Sequence, residues 1–396
     1  MEDEKIFDIQ ETEDDVSNEI KKKGKVSKAK VLKIILGITA GIFVLSVGIY
    51  LLLTSQTYEN VEVLEVKAVK ELENGTVLRF GDALLKYNKD GIVLIDQVGR
   101  EFWNYSIQFK NPEAVINGKS IVVADKLGTG IAVFEEKGLR GQFNTHLPIE
   151  KVVVSSQGIV GVILKSTEAP QLACYDAVGN LLIENKVSTA RTGYPIDISI
   201  SPDGYKLLVS YLYIENGRAS AKVIHYDFRE ENAEKRYLVA EKTYENEIIS
   251  KTAFLENDIS VAIGNQTLVI YEDIHEPKEK KRITLGKTIK SAFVENGTIG
   301  LILKNKDNNI SELRLYDING EIITTMEFEG DYTNASVFRN QVVLYDKNRC
   351  LIFMRKGIKR YEGELSEEIL QIFPIIGFNK YAVIVPGGTQ EIRLVK

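Results

Sequence analysis

Residues 83–96 read Ala83-Leu-Leu-Lys-Tyr-Asn-Lys-Asp-Gly-Ile-Val-Leu-Ile-Asp96. Two apolar runs flank a polar Asn-Lys-Asp-Gly, and the second run ends on a carboxylate. Val, Ile, Leu and Tyr suit a pleated, half-buried backbone. Asn, Asp and Gly supply the positive φ angles that a tight hairpin turn needs. The apolar runs hardly alternate with polar residues, so both faces of the hairpin are expected to be covered.

The second run recurs along the chain, as Ile131-Ala-Val-Phe-Glu135, Leu172-Ala-Cys-Tyr-Asp176, Val223-Ile-His-Tyr-Asp227, Leu268-Val-Ile-Tyr-Glu272 and Leu313-Arg-Leu-Tyr-Asp317. Weaker copies follow as Cys350-Leu-Ile-Phe-Met354 and Glu391-Ile-Arg-Leu-Val395, and the intervals run from roughly 37 to 51 residues. An apolar strand precedes each copy, over residues 83–87, 120–124, 158–164, 206–213, 259–263, 298–303, 341–345 and 381–385. A further strand opens each unit, as in 149–154 ahead of Ser156-Gln-Gly158 and 197–200 ahead of Ser201-Pro-Asp-Gly204. Another closes it, as in 101–105 and 321–328.

Four short antiparallel strands per unit, with covered faces and a fixed long period, predict an all-β chain folded as an eight-bladed β-propeller. A sandwich would show alternation and no such period. Seven blades is the alternative, if the short interval ending at Met354 is misread. The last unit stops at Leu394-Val395-Lys396 without a fourth strand. Residues 61–69 have strand composition and are expected to supply it, closing the ring and removing its free edges.

Upstream, Ile34 to Leu53 is a run of twenty residues without a charge. As a helix it would be about 30 Å long, the thickness of a bilayer's hydrocarbon core. Seven lysines precede it, at 21, 22, 23, 25, 28, 30 and 33, while 54–60 carries one charge, Glu59. The positive-inside rule then places the N-terminus in the cytoplasm and residues 54–396 outside. A cleaved signal peptide would have an unusually long charged region and apolar region here, and no Ala-x-Ala site follows Leu53. An uncleaved signal-anchor is therefore the expectation. Gly37 and Gly41 form one small-xxx-small pair, though glycine is common in membrane helices.

The expected organisation is a disordered tail at 1–33, acidic then Lys-rich, a transmembrane helix at 34–53, a linker at 54–60 and an extracytoplasmic propeller at 61–396. The tail has low hydrophobicity and segregated charge, and its lysines suit anionic headgroups. The external part holds 42 Lys and Arg against 47 Asp and Glu. Such a balance lacks the concentrated basic surface that nucleic acid requires. Cys174 and Cys350 fall in the third and seventh units, too far apart in an eight-fold ring for a bridge. Stability is then a matter of packing rather than disulfides.

Gly91-Ile-Val-Leu-Ile-Asp-Gln-Val-Gly-Arg-Glu-Phe-Trp103 resembles the repeat of quinoprotein-like (PQQ-type) propellers, apolar-x-Ala-Asp-x-x-Gly-x-x-apolar-Trp. Tyr175-Asp-Ala-Val-Gly179 and Tyr316-Asp-Ile-Asn-Gly320 look like the same turn, while the tryptophan is present once, at Trp103. Ser201-Pro-Asp-Gly204 looks like the first-hairpin turn of WD40- and TolB-type propellers. The layout over roughly 60–396 is similar to Gram-positive single-pass membrane proteins grouped only as a domain of unknown function. The resemblance to quinoproteins implies eight blades. In the family's enzymes it also implies a cofactor and calcium in the central channel, and an adjacent-cysteine disulfide is common; this chain has no Cys-Cys pair.

The recurrent Asp96, Asp176, Asp227 and Asp317 sit where Asp caps a turn backbone. His146, His225 and His275 are well separated and read as surface or strand-end polar residues, so no metal site is expected. Tyr211, Tyr213 and Tyr226 lie in strands and read as inter-blade packing. No nucleophile motif or phosphate-binding loop appears. The expectation is no enzyme and no cofactor, with no catalytic, cofactor or metal residue and the binding residues unknown. What remains is an envelope binding or scaffold module at the cell membrane, its partner another envelope protein or a wall component. A transmembrane sensor of an extracellular ligand is the alternative, and a quinoprotein-like enzyme the remote one.

Overall fold

The computed structural model describes residues 28–396 apart from 70–74, 98, 216, 236, 273–275, 305–309 and 339. The expectations about the tail up to residue 27 and about His275 lie outside the described residues. The chain divides into two compact units, residues 1–56 and 57–396.

In the first unit, a helix spans Lys28–Thr54. Its stretch Leu32–Leu53 has a mean hydropathy of 2.4 and is long and apolar enough to cross a membrane. The described helix includes Lys28 to Lys33, which the expected boundary assigned to the tail. Lys, Ala, Val and Leu in 28–33 are compatible with a helix.

In the second unit, the described strands form eight four-stranded antiparallel sheets. Blades 1 to 7 are contiguous, at residues 76–106, 112–144, 149–186, 194–244, 249–284, 288–329 and 334–364. Blade 8 takes three strands from 371–395 and its outermost strand, Asn60–Ala68, from the other end of the domain. That strand runs from Asn60 opposite Val395 to Ala68 opposite Gly388. The ring is thus eight-bladed and closed by the N-terminal strand, and the weak unit at Met354 is a full blade.

The second and third strands of each blade are covered on both faces. In blade 2, Ser120–Asp125 and Gly130–Glu135 are buried throughout except Glu135. Outermost strands are amphipathic; Leu181–Lys186 alternates exposed and half-buried positions. The antiparallel order fixes two ends. The lower face carries the turns joining first to second and third to fourth strands, and the upper face carries the second-to-third turns and the blade-to-blade connections. The closing strand begins at the lower face.

The lower third-to-fourth turn explains the recurrent carboxylate. In Asp96–Gly99, Asp176–Gly179, Asp317–Gly320 and Met354–Gly357 the glycine N–H donates to the carbonyl of the first residue, at 2.8–3.2 Å. Each glycine has a φ between +72° and +98°, which L side chains rarely adopt. A bulge follows on the outermost strand. Met354 occupies the acidic position with the same backbone bonds, so its lost carboxylate left the turn intact.

The assigned linker, residues 54–60, contributes Tyr58 to the propeller. Its N–H donates to the Arg360 carbonyl at 2.7 Å, and its ring is buried in the blade 7–8 core. An aromatic next to a strand has apolar surface to bury, and this one finds it.

Candidate functional site

The carboxylates that recur along the sequence are structural. Asp96 accepts the N–H of Arg100 at 2.8 Å, Asp317 those of Asn319 and Glu321 at 2.9 and 2.8 Å, and Asp227 that of Arg229 at 3.1 Å. Burial opposes ionisation at Asp176, but donors from Asn180, Val178 and Gly179 outweigh it and hold the carboxyl below its usual range. Trp103 docks on the next blade, its Nε1–H on the Glu136 carbonyl at 3.0 Å and its ring stacked on Phe134 at 4.9 Å.

The innermost strands of blades 3 to 6 each carry a bulge, before Lys151, Asp197, Lys251 and Ser291. Blades 1, 2, 7 and 8 pair without one at this place. The bulges turn charges toward the ring's interior and across to the next blade. Lys151 donates to the Ile196 carbonyl at 3.0 Å and pairs with Asp197, whose other oxygen accepts the Thr252 N–H and hydroxyl. Lys251 donates to the Ala292 carbonyl at 3.1 Å. Burial lowers the Lys251 ammonium pKa; Asp197 opposes this and Lys151 adds to it. The cluster therefore ties blades 3, 4, 5 and 6 in sequence, and its polar atoms are spent on that.

The recess that departs from the repeat lies between blades 3 and 4, toward the upper face. Its cavity is about 320 Å³, with Asn185, Ser188, Arg191 and Thr192 at the mouth and Tyr211, Ile224, Tyr226 and Leu238 on the blade 4 wall. A narrow apolar slot continues from it past Ile183, Leu207 and Phe228 to Cys174. The Tyr211 and Tyr226 hydroxyls meet at 2.9 Å. Burial pushes both phenols up, Tyr211 far more, so they act as neutral donors and acceptors. Burial pushes the Cys174 thiol up to about 12, which leaves it a packing residue.

Blade 4 also owns the longest hairpin, Lys206–Glu215 and Arg218–Asp227, ten residues each. Strand pairing continues to Glu215 opposite Arg218, and Ile214 near its tip is 74 % exposed. Lys222 braces its base, over the Tyr213 ring at 5.7 Å, on the Arg191 carbonyl at 3.1 Å and on Glu241 at 2.7 Å. Tyr211, Tyr213 and Tyr226 are expected from the sequence to be inter-blade packing. Tyr211 and Tyr226 do pack there, and they also wall the recess. The signal available in the sequence was the interval from Asp176 to Asp227, the longest of the series.

Two expectations about side chains are refined. His225, read as a surface or strand-end residue, is 3 % exposed, edge-on to Tyr271 at 4.6 Å. Its neighbours on adjoining strands are apolar, and alternation turned it inward. Burial, then Lys206, pushes its pKa down to about 3. His146 is half-exposed and bonds Gln171 at 2.9 Å and Glu184 at 3.0 Å. Among the described residues no three His, Cys, Asp or Glu stand close enough to hold a metal ion. Cys174 and Cys350 are both free and buried, in blades 3 and 7.

These features define an eight-bladed β-propeller preceded by a helix apolar enough to cross a bilayer. Solved propellers share the fold at low identity. BamB from Moraxella catarrhalis superposes with a TM-score of 0.52 at 10 % identity, over 84 % of this chain and 100 % of its own. Sqt1 of Saccharomyces cerevisiae does so with 0.56 at 10 % identity, over 87 % and 100 %. No curated protein matches the sequence. The chain belongs to DUF5711, a family of unknown function, whose model matches residues 54–394.

Proposed function

We propose that this protein is a membrane-anchored, non-catalytic binding module whose propeller works outside the cytoplasm. The observation that carries the reading is blade 4: a hairpin of two ten-residue strands with an exposed apolar residue near its tip, braced beside a recess lined with phenols, an amide and a guanidinium. Blade 4 has the longest second and third strands among the described blades, and an enlarged element of this kind is the place for recognition. An amphipathic edge of tyrosine with exposed isoleucine suits a protein surface, since aromatic anchors dominate such contacts. The lysine asymmetry around 34–53 supports an uncleaved anchor with the N-terminus inside. Composition with little Cys and abundant Lys, Glu and Ile fits a Gram-positive envelope, where another envelope protein or a wall component would be the partner.

The test is a photo-reactive residue placed at Ile214 in the full chain in its own membrane, with a matched one at Lys89, also on an upper-face turn. A defined adduct from position 214 and none from 89 is expected. Equal, diffuse labelling from both would contradict the reading. Protease added to intact protoplasts addresses orientation separately, and should remove the propeller while sparing the tail.

A further inference from the structure

The recess between blades 3 and 4 has a lining that selects for charge. Neighbouring sheets diverge toward the rim of a ring, and here the widening gap is walled rather than filled. Its cavity of about 320 Å³ lies at the small end of the roughly 300–1,000 Å³ that ligand sites span. The lining holds two cations, Lys186 and Arg191, and no carboxylate. Both side chains are exposed, and among the described residues neither has a carboxylate partner. The nearby acids are engaged elsewhere. Glu241, which raises the pKa of both phenols, pairs with Lys222 at 2.7 Å, and Glu184 meets His146 at 3.0 Å.

The other polar groups of the recess are held in place. The Asn185 amide bonds the Tyr226 hydroxyl, which in turn meets that of Tyr211 at 2.9 Å. Arg191 sits on a turn closed by the Ser188 carbonyl, which accepts the N–H groups of Arg191 and Thr192 at 3.0 and 2.7 Å. Gly193 ends this turn at a φ of +94°, and a Cβ there would stand 2.5 Å from the Leu212 carbonyl. The turn is thus pressed against the blade 4 hairpin, and Lys222 ties it there through the Arg191 carbonyl at 3.1 Å. The blade 4 wall adds apolar surface from Ile224 and Leu238.

We propose that this recess binds a carboxylate carried on a short apolar group, as at the C-terminal end of a peptide or on a small organic acid. A planar guanidinium takes a carboxylate through two parallel N–H bonds. Asn185 and the neutral phenols offer further donors beside it, and the apolar group covers Ile224 and Leu238. Capture of a chain's carboxylate end is a recurring mode of peptide recognition. The inference rests on blade 4 as the recognition element and deepens that reading, because the mouth of the recess adjoins the base of the hairpin that carries Ile214.

The experiment uses the full chain in an uncharged detergent, in equilibrium dialysis against radiolabelled N-acetylleucine. N-acetylleucinamide is the uncharged analogue, and a short N-acetylated peptide ending in leucine is the third probe. The acid should bind about tenfold more tightly than the amide, or better. Arg191→Gln should abolish that preference without lowering the melting temperature, and Arg191→Lys should restore only part of it. Equal binding of acid and amide, or no binding of either, would overturn the proposal. A preference that survives in Arg191→Gln would overturn its placement in this recess. Tighter binding of the peptide, lost in Ile214→Asp, would support the proposal with a partner's chain end as the source, and equal binding of peptide and free acid would support it with a small acid. A photo-adduct from position 214 without acid binding would overturn the recess ligand and leave the hairpin reading standing, while acid binding without the adduct would do the reverse.

Discussion

Blades 4 and 8 face each other across the ring and are built in opposite ways. Blade 4 is one continuous stretch, 194–244, with long strands, a braced hairpin and a recess. Blade 8 is assembled from the two ends of the domain and depends on Asn60–Ala68 to complete it. Blade 4 has stability to spare for recognition, because its chain closes its own sheet. Blade 8 has none, because every contact there holds the ring shut. Changes at blade 8 should therefore act on folding, and changes at the blade 4 tip on binding alone.

Removing residues 61–69 from the full chain is the most severe break in that contrast. The ladder to Gly388–Val395 and the packing of Val61 on the blade 8 core disappear together. The expected loss is about 5 kcal/mol or more, read as a collapsed thermal transition and rapid proteolysis in detergent. An unchanged melting temperature would mean the C-terminal strands close the ring alone.

Arg360→Ala is next, at about 2–4 kcal/mol, because it removes the hydrogen bonds to the Phe378 carbonyl and the Tyr58 hydroxyl and leaves a cavity where the buried side chain was. Tyr226→Phe at the blade 4 recess removes one hydrogen bond to Tyr211 and should cost only about 1 kcal/mol. Reversal of that order in denaturant titrations would erase the distinction between the two blades.

His225 sharpens the picture through pH. Its pKa falls from 6.5 to about 3 on folding. Below 6.5 the unfolded chain takes up a proton that the folded chain refuses, so stability drops as pH falls through that value. At pH 5 the loss is about 2 kcal/mol, or roughly 3 °C in melting temperature for a domain of this size. His225→Phe should remove that part of the difference between pH 7.5 and pH 5. Parallel acid slopes for the two proteins would show that His225 is not the group responsible.

The smallest effect belongs to Ile214→Asp. At a side chain 74 % exposed, stability should change by less than about 0.5 kcal/mol, while partner capture at the hairpin is lost. A destabilised variant would place Ile214 in the scaffold instead.

The blades were legible because their strands are covered on both sides and end in a turn with fixed needs. A carboxylate and a left-handed glycine three positions apart leave a mark in the sequence, as at Asp176 and Gly179. Even the closing strand at 61–69 was legible, from the strand missing after Val395. The recess was not, since Tyr211 and Tyr226 have the same composition whether they pack against a neighbour or wall a cavity. Arg360 was equally hidden. It lies in a Lys-Arg pair that looks solvated; it sits at the bulge that follows the Met354–Gly357 turn, and its partner Tyr58 is 302 positions away. The inner-strand bulges at Lys151, Asp197 and Lys251 likewise follow from ring geometry, which no local pattern records.

The central claim is that the strand following the apolar helix is also the clasp of the ring. Glu62 and Arg393 are opposite each other in that ladder, both half-exposed. Facing residues of an antiparallel pair lie about 4.5–5.5 Å apart at Cα, within disulfide range. Cysteines at both positions of the full chain, mildly oxidised, should form one intramolecular 62–393 bridge, identified by peptide mass mapping with Cys174 and Cys350 still reduced. A bridge found only between molecules, or none at all, would contradict the account.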